Sequence, residues 1–532
     1  MTDTSVEGAG VGTAQPSLSL AYTWSLPAAA VILILPIWLA HWPAMPDFPA
    51  HLASFQLLAS GGKLGTAAKF YRVEWAYLPN LAAELTVPVL AKILSLITAT
   101  KVFLTLAVLM WALAAGAVHK ALYGNVGASP LAASLFAYNA NFMWGFFNYY
   151  FGMGLAMLAF AGWIASEGRR DALRLPGFAA LATLIYFCHL FAFATLLVMI
   201  CCYELMRLWQ ERPLSASRCL ARIVGVASIA LPASAAFVYL KPTGAGSDHL
   251  EFNLLSTLDD RASAAIQFAF DRPAYPVFVG LLLFFAIGLW RRQIAIHPRM
   301  TLLLALLAFA AVFTPEWAMG GWGVDLRLPA VLGVLAFAAC EFKLTERTVQ
   351  VFVAAMMLVI AYQSATLAGN WRYYDRQIVE LRGALKRLPA GSKLVTVLDG
   401  DAMGMASDQP YWHMAEYGII DRGDFTPLMF TTKGQHVIQL QPAVSRIAAQ
   451  TAEQGSPPDI SDLDDLEAGN THDDPDIAKV FPYLIHFQCH FDYAVVIHSG
   501  GKQTPPPDML LRVHAGSFFS LYRIRPSENC ER

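Results

Sequence analysis

Apolar runs of nearly membrane-spanning length follow one another through the first 370 residues of this chain, and no other feature constrains its fold as much. A helix needs about 20 apolar residues to cross roughly 30 Å of hydrocarbon. Runs near that length lie at roughly 24–42, 102–118, 128–143, 149–166, 175–188, 190–207, 223–240, 274–290, 300–315, 328–341 and 349–367. With 56% hydrophobic and only 14% charged residues, the 532-residue chain is too apolar for a soluble protein of its size. A net charge of −2 leaves no basic footprint for a nucleic acid. These observations predict a polytopic α-helical membrane protein of about eleven transmembrane helices, with a C-terminal soluble α/β domain.

Basic residues orient the spans. Arg169, Arg170 and Arg174 follow the fourth run, and Arg207, Arg212, Arg218 and Arg222 follow the sixth. Arg291, Arg292 and Arg299 follow the eighth, and Lys343 and Arg347 the tenth. Every second connection is basic, as cytoplasmic loops are, so the N-terminus is expected inside the cell. The C-terminal domain is then outside, in the periplasm of a bacterial inner-membrane protein. Residues 1–23 read as a disordered cytoplasmic tail that lacks the basic start of a signal peptide, so the first helix is kept as an uncleaved span. Residues 24–369 form the transmembrane domain, with a long outer loop at 43–101, and residues 370–532 the periplasmic domain.

Two stretches need a decision. Leu175 to Arg207 is short for two crossings, but one crossing would place four arginines outside, so two are expected with His189 at their outer turn. Leu81 to Ile97 is apolar too, yet a span there would invert everything after it, so it reads as a helix lying along the outer interface. Beyond Asn370 the texture becomes mixed. Trp371–Arg387 has a helical period, and 393–398, 491–498 and 518–524 read as strands. Ala449–Asp476 reads as a loop, and Cys489 and Cys530 are the two cysteines outside the apolar region that could pair in an oxidising compartment.

The polar residues collect on the outer side. The first outer loop opens with Pro46–Leu52 (PDFPAHL), where Pro49 suits a first helical position. Asp47 then stands at the helix mouth and His51 rises on the same side. The bland alternative is that Asp47 caps the helix and His51 is solvated. Asn139, Asn141 and Asn148 flank the third outer turn, His189 marks the next, and Asp325 and Arg327 begin the tenth helix. Arg327 suits a phosphate through paired hydrogen bonds; its alternatives are an ion pair with Asp325 or contact with headgroups. His189 is as readily a satisfied interfacial histidine. Asp399-Gly400-Asp401 reads as a turn, and the acidic run Asp462–Asp476 as a solvated loop.

This layout resembles the GT-C glycosyltransferases, nearest to bacterial relatives of the protein mannosyltransferase and aminoarabinose transferase type. The resemblance rests on PDFPAHL, with Asn148–Gly152 and Asp325–Pro329 in support. It implies transfer of a sugar from a polyprenyl-phosphate donor drawn from the membrane lipid to a glycan, lipid or protein acceptor, with inversion. Asp47 matches the family's first-loop general base, and His51, Arg327, Asp325, Asn148 and His189 are candidates for binding substrate. Family members often carry a second acid beside the first, whereas Phe48 and Pro49 follow here, so use of a divalent metal is left open. The rival reading is a non-catalytic protein of the same architecture, a partner in envelope polysaccharide assembly or export.

Overall fold

The computed structural model describes residues 20–213, 215–239, 258–270, 272–318, 321–400, 409–450, 454–467, 477–498, 504–527 and 530. Most of the expected tail, Asp401 and residues 468–476 of the acidic run lie outside them.

The helices are α1 (Leu20–Leu39), α2 (Phe48–Ala59), α3 (Ala82–Leu90), α4 (Leu96–Tyr123), α5 (Pro130–Ala133), α6 (Ala140–Trp144), α7 (Phe147–Ala165) and α8 (Asp171–Cys188). They continue with α9 (Leu190–Gln210), α10 (Ala216–Tyr239), α11 (Leu258–Ala265), α12 (Tyr275–Trp290), α13 (Thr301–Phe313), α14 (Leu328–Ala338) and α15 (Glu346–Leu385). Among the described residues α4, α8, α9, α10 and α15 are long and apolar enough to cross a membrane, and Trp24–Leu39, Tyr275–Trp290 and Pro298–Phe313 are shorter apolar helices. The stretch 175–207 does break in two at His189, whose extended backbone (φ −166°) separates α8 from α9.

The run at 128–143 is not the single helix expected of it. It divides into α5, a 3-10 turn at Ser134–Ala137 and α6. The Asn139 side chain accepts from the backbone N–H of Asn141 and Phe142 at 3.0 and 3.3 Å, so it starts a new helix where the old one would have continued. The tenth run yields only α14, whose 11 residues reach about 16 Å and fall short of the hydrocarbon thickness.

The helices pack through small residues. A Cβ at Gly154 of α7 would lie 2.9 Å from the Met110 Cβ of α4, so only glycine permits this approach. The basic connections meet at one end of the bundle. Arg222 pairs with Glu204 at 3.0 Å, and Glu167 meets both Arg299 at 3.1 Å and Arg207 at 3.8 Å, tying three connections together. A strand pair, β4 (Ile294–Ile296) with β5 (Cys340–Phe342), closes the same end. At the other end α3 leaves Leu85 and Val89 exposed, with Ile93 just beyond it, one turn apart along one face. That is the stripe an interfacial helix offers to lipid.

The C-terminal part carries a four-stranded sheet in the order β6 (Leu394–Asp399), β8 (Tyr493–His498), β10 (Phe519–Ile524), β9 (Leu510–Ala515). The first pair is parallel and the other two antiparallel. Three of these strands match the sequence reading. The fourth, β9, was missed because Leu511, Arg512 and Val513 are all exposed, so this edge strand shows no alternation. The helix read at 371–387 is the end of α15, which runs unbroken for 40 residues, about 60 Å, through the boundary expected at 370. Asp375 on it accepts from the backbone N–H of His41 and Trp42 at 2.7 and 2.6 Å, fastening α15 to the end of α1.

The outer loop and the C-terminal domain share one core. Strand β1 (Tyr71–Val73) pairs antiparallel with β7 (Ile438–Leu440). Ala53, Leu57, Phe70 and Tyr71 of the loop are buried against Val395, Phe425, Val496 and Tyr522. Cys489 and Cys530 form a disulfide; the other cysteines among the described residues are free.

Candidate functional site

Asp47 holds the N-cap position of α2, but its side chain makes no capping hydrogen bond. The capping alternative therefore fails. The Asp47 backbone N–H donates to Trp144 O at 3.0 Å, which brings the start of α2 against the α6–α7 turn. Gly145 makes that turn at φ +97°, and a Cβ there would lie 3.1 Å from the Asp47 Cβ. The carboxyl is thus held with 15% of its side chain exposed, 3.9 Å from the Nε2 of His413. On its other side the His413 Nδ1 lies 3.3 Å from Oε1 of Glu416, a fully buried carboxylate that also accepts from Thr426 Oγ1. Acid, imidazole and acid stand in line.

His51 is buried rather than solvated. Its ring stacks on Phe147 at 4.6 Å and meets the face of Phe430 at 5.1 Å, and its Nδ1 has no hydrogen-bond partner. Phe430 also contacts His413 at 5.1 Å and His436 at 5.4 Å. Burial raises the Asp47 carboxyl to about 7, although the His413 charge opposes it. Burial lowers His51 to about 3 and His436 to about 4, so both are neutral near pH 7. Burial also disfavours the charged form of His413, but the hydrogen bond and charge of Glu416, with the charge of Asp47, outweigh it and leave its pKa raised. Buried polar atoms without partners are rare in folded proteins. His51 Nδ1, Trp412 Nε1 and Glu416 Oε2 are three of them, in residues that adjoin His413 or share Phe430 with it.

Arg327 stands beyond the same turn. Its guanidinium lies 5.3 Å from the Tyr149 ring, 5.6 Å from Phe191 and 5.9 Å from Phe146. Nη2 donates to Trp322 O at 3.3 Å, and Nε is buried without an acceptor. The alternative, an ion pair with Asp325, is not formed. Asp325 instead meets Arg261 at 3.4 Å, both buried, while Arg261 also donates to the carbonyls of Val312 and Thr314. Neighbours two apart in sequence do not face each other at a helix start, and Arg261 arrives from α11. Burial lowers Arg327 to about 10, so it stays cationic with aromatic faces in place of a counter-ion.

The remaining candidates have structural partners. The Asn148 amide accepts from Ala83 N at 2.7 Å and donates to Asn80 O and Glu84, fastening α3. His189 accepts from Phe191 N at 3.1 Å as the cap of α9, with its ring edge-on to Tyr149. The start of α7 thereby serves three neighbours, with Phe146 and Tyr149 on Arg327, Phe147 on His51 and Asn148 on α3.

Asp399 is not an open ligand. Its carboxylate accepts from Thr504 N at 3.0 Å and lies 2.8 Å from His498 Nδ1, whose Nε2 is 2.9 Å from Ser520 Oγ. The order Ser–His–Asp is that of an acyl-transfer triad, but Ser520 is buried between β8 and β9, so these bonds tie three strand ends together. Among the described residues no three His, Cys, Asp or Glu side chains converge as a metal-ligand set.

His413, Glu416, His436, Trp412 and Phe430 went unnoticed in the sequence. Tyr411-Trp412-His413 is a visible aromatic–histidine cluster, but nothing local connects it to residue 47.

No family model matches the chain, and no curated protein matches it. Among solved structures the chain is similar to the cryo-EM structure of the arabinofuranosyltransferase AftD from Mycobacteria, at 17% identity and a TM-score of 0.46. The match takes in 96% of this chain and 40% of that one, so the chain spans less than half the length of the protein it matches.

Proposed function

We propose that the protein is a multi-pass membrane glycosyltransferase that works at the outer face of a bacterial inner membrane. In this reading a polyprenyl-phosphate sugar enters from the bilayer with its phosphate at Arg327. Asp47 takes the proton from an acceptor hydroxyl, and the oxygen attacks the anomeric carbon. The C–O bond to the lipid phosphate breaks with inversion, and the phosphate leaves with the electron pair, its charge met by Arg327. His51, neutral and stacked on Phe147, shapes the sugar pocket; His413 and Glu416 hold Asp47 in place.

The observation that carries this reading is the Asp47 carboxyl, buried beside His413 and raised to about 7. A general base is most effective when its pKa lies near the working pH. Arg327 adds a second support as a buried cation faced by rings rather than carboxylates, since the guanidinium fork suits phosphate. Asn148, His189 and Asp325 take positioning roles, because their polar atoms already serve α3, α9 and Arg261.

The test is transfer from a lipid-linked sugar donor by the purified protein in reconstituted membranes, alongside a comparison of envelope glycans with and without the gene. Transfer that stops in Asp47→Asn, with expression unchanged, supports the reading. Full transfer by that variant would remove Asp47 from the chemistry, and glycans altered by loss of the gene with no transfer by the purified protein would favour the non-catalytic rival.

A further inference from the structure

A polar cleft of about 330 Å³ lies where the outer loop meets the C-terminal domain. It is bounded by the end of α2 and the turn after it on one side, and on the other by α16 (Tyr417–Arg422) and Gly423. That volume is at the lower end of small-ligand sites. Gln56, Lys63 and Ala390 are exposed at its rim.

The donors in it are uncommitted. Gln56, Lys63 and Thr66 make no side-chain hydrogen bond or ion pair among the described residues. Arg422 donates through Nη2 to Leu388 O at 3.0 Å, which fixes the guanidinium and leaves Nη1 without a partner. The one carboxylate of the cleft, Asp421, is already engaged by Arg382 on two oxygens and by Lys386 at 3.6 Å. Two cations and two neutral polar side chains therefore line one small space, and Asp424, the acid that feels the Arg422 charge, is buried with Oδ1 accepting from the N–H groups of Gly391 and Ser392. The two walls of the cleft meet closely. Gly423, at φ +67°, approaches so closely that a Cβ would lie 2.8 Å from Ala67 N.

We propose that this cleft binds an acidic sugar residue, its oxyanion between Lys63 and Arg422 and its hydroxyls on Gln56 and Thr66. Asp47 begins α2 and the cleft lies at its far end, about 18 Å away for 12 residues. A saccharide held here is well clear of the reacting centre. Resting on the glycosyl-transfer reading, the cleft is an acceptor subsite that grips the chain whole sugar residues away from the hydroxyl attacked, a use of remote binding energy to position the reacting end.

The test separates binding from transfer. Glucuronate, glucose 6-phosphate and neutral glucose are titrated into the full-length protein in detergent by calorimetry, in the wild type and in Asp47→Asn. Saturable binding of one or both anionic sugars, absent for glucose and equal in the two proteins, is expected. Which anion binds more tightly distinguishes a uronic acid from a sugar phosphate. Lys63→Gln, at an exposed position, and Arg422→Gln should each weaken binding about tenfold or more, as loss of a charge-assisted hydrogen bond does. Inorganic phosphate binding as tightly as the sugars would overturn the sugar assignment. No saturable binding, or binding unchanged in Lys63→Gln, would overturn the proposal while leaving the role of Asp47 intact. Binding retained in a protein that transfers no sugar would overturn the acceptor role alone.

Discussion

Replacing Asp47 with asparagine should leave the protein more stable at alkaline pH and inactive. In the folded protein burial raises this carboxyl from 3.8 to about 7. The folded state therefore holds a proton that the unfolded chain releases, and the wild type loses stability as pH rises from about 4 to about 7. The ceiling on that loss is about 4 kcal/mol, three pH units at about 1.4 kcal/mol each. About half of it is the realistic expectation, because 15% of the side chain still reaches solvent and His413 loses its acidic neighbour in the variant. Asparagine does not ionise, so the variant lacks this pH dependence. Thermal unfolding in detergent at about pH 5 and about pH 8 should show the variant gaining on the wild type at the higher pH. Its transfer from a lipid-linked donor should be abolished at both. A variant destabilised equally at the two pH values would refute the reasoning, since Asp47 would then be a satisfied carboxylate and not a buried base.

Arg327→Lys keeps the charge but not the fork, so its use of a lipid-phosphate donor should fall about tenfold or more, and Arg327→Ala should fall further; unchanged kinetics in the Lys variant would make Arg327 a structural anchor. His413→Gln removes the charge that opposes burial at Asp47, so the acidic limb of the pH–rate profile should move to higher pH, and an unmoved limb would deny the coupling. A periplasm-active reporter fused after Asn370 should be active and one at Arg170 or Arg292 silent, with the reverse pattern overturning the orientation. Replacing Cys489 and Cys530 together by serine should destabilise the outer domain by at most about 4 kcal/mol, from closure of a loop of 41 residues, read by denaturant unfolding.

Much of the membrane part was legible because length and hydropathy are local properties. The interruption at Asn139 was not, since an asparagine in an apolar run reveals its cap only when its side chain turns onto the backbone beyond it. In the site, Asp47 and His51 were legible together because one helix start places both on one side. The partner of Asp325 was hidden for a related reason: Arg327 stands two residues away in sequence, while Arg261 reaches the acid through packing. His413 and Glu416 were hidden for the complementary reason. Their relation to Asp47 exists only once the outer loop and the domain share a core, and no spacing in the chain encodes that.

That shared core also fixes when the site can exist. The loop that carries Asp47 is made early, and the residues that cover its other face are made long afterwards. Tyr71 finds its strand partner only at Leu440, and Ala53 and Leu57 pack against strands finished at Ile524. Domains generally fold as their residues emerge, N-terminal first; the loop can dock early on α6 and α7 through Asp47 and His51, but its face toward the C-terminal strands has no partner until those strands are made. A ribosome stalled anywhere before residue 400 would leave the C-terminal-facing side of the loop open and Asp47 without His413 beside it. The surroundings of Asp47 are therefore completed from two distant parts of the chain, one made long after the other.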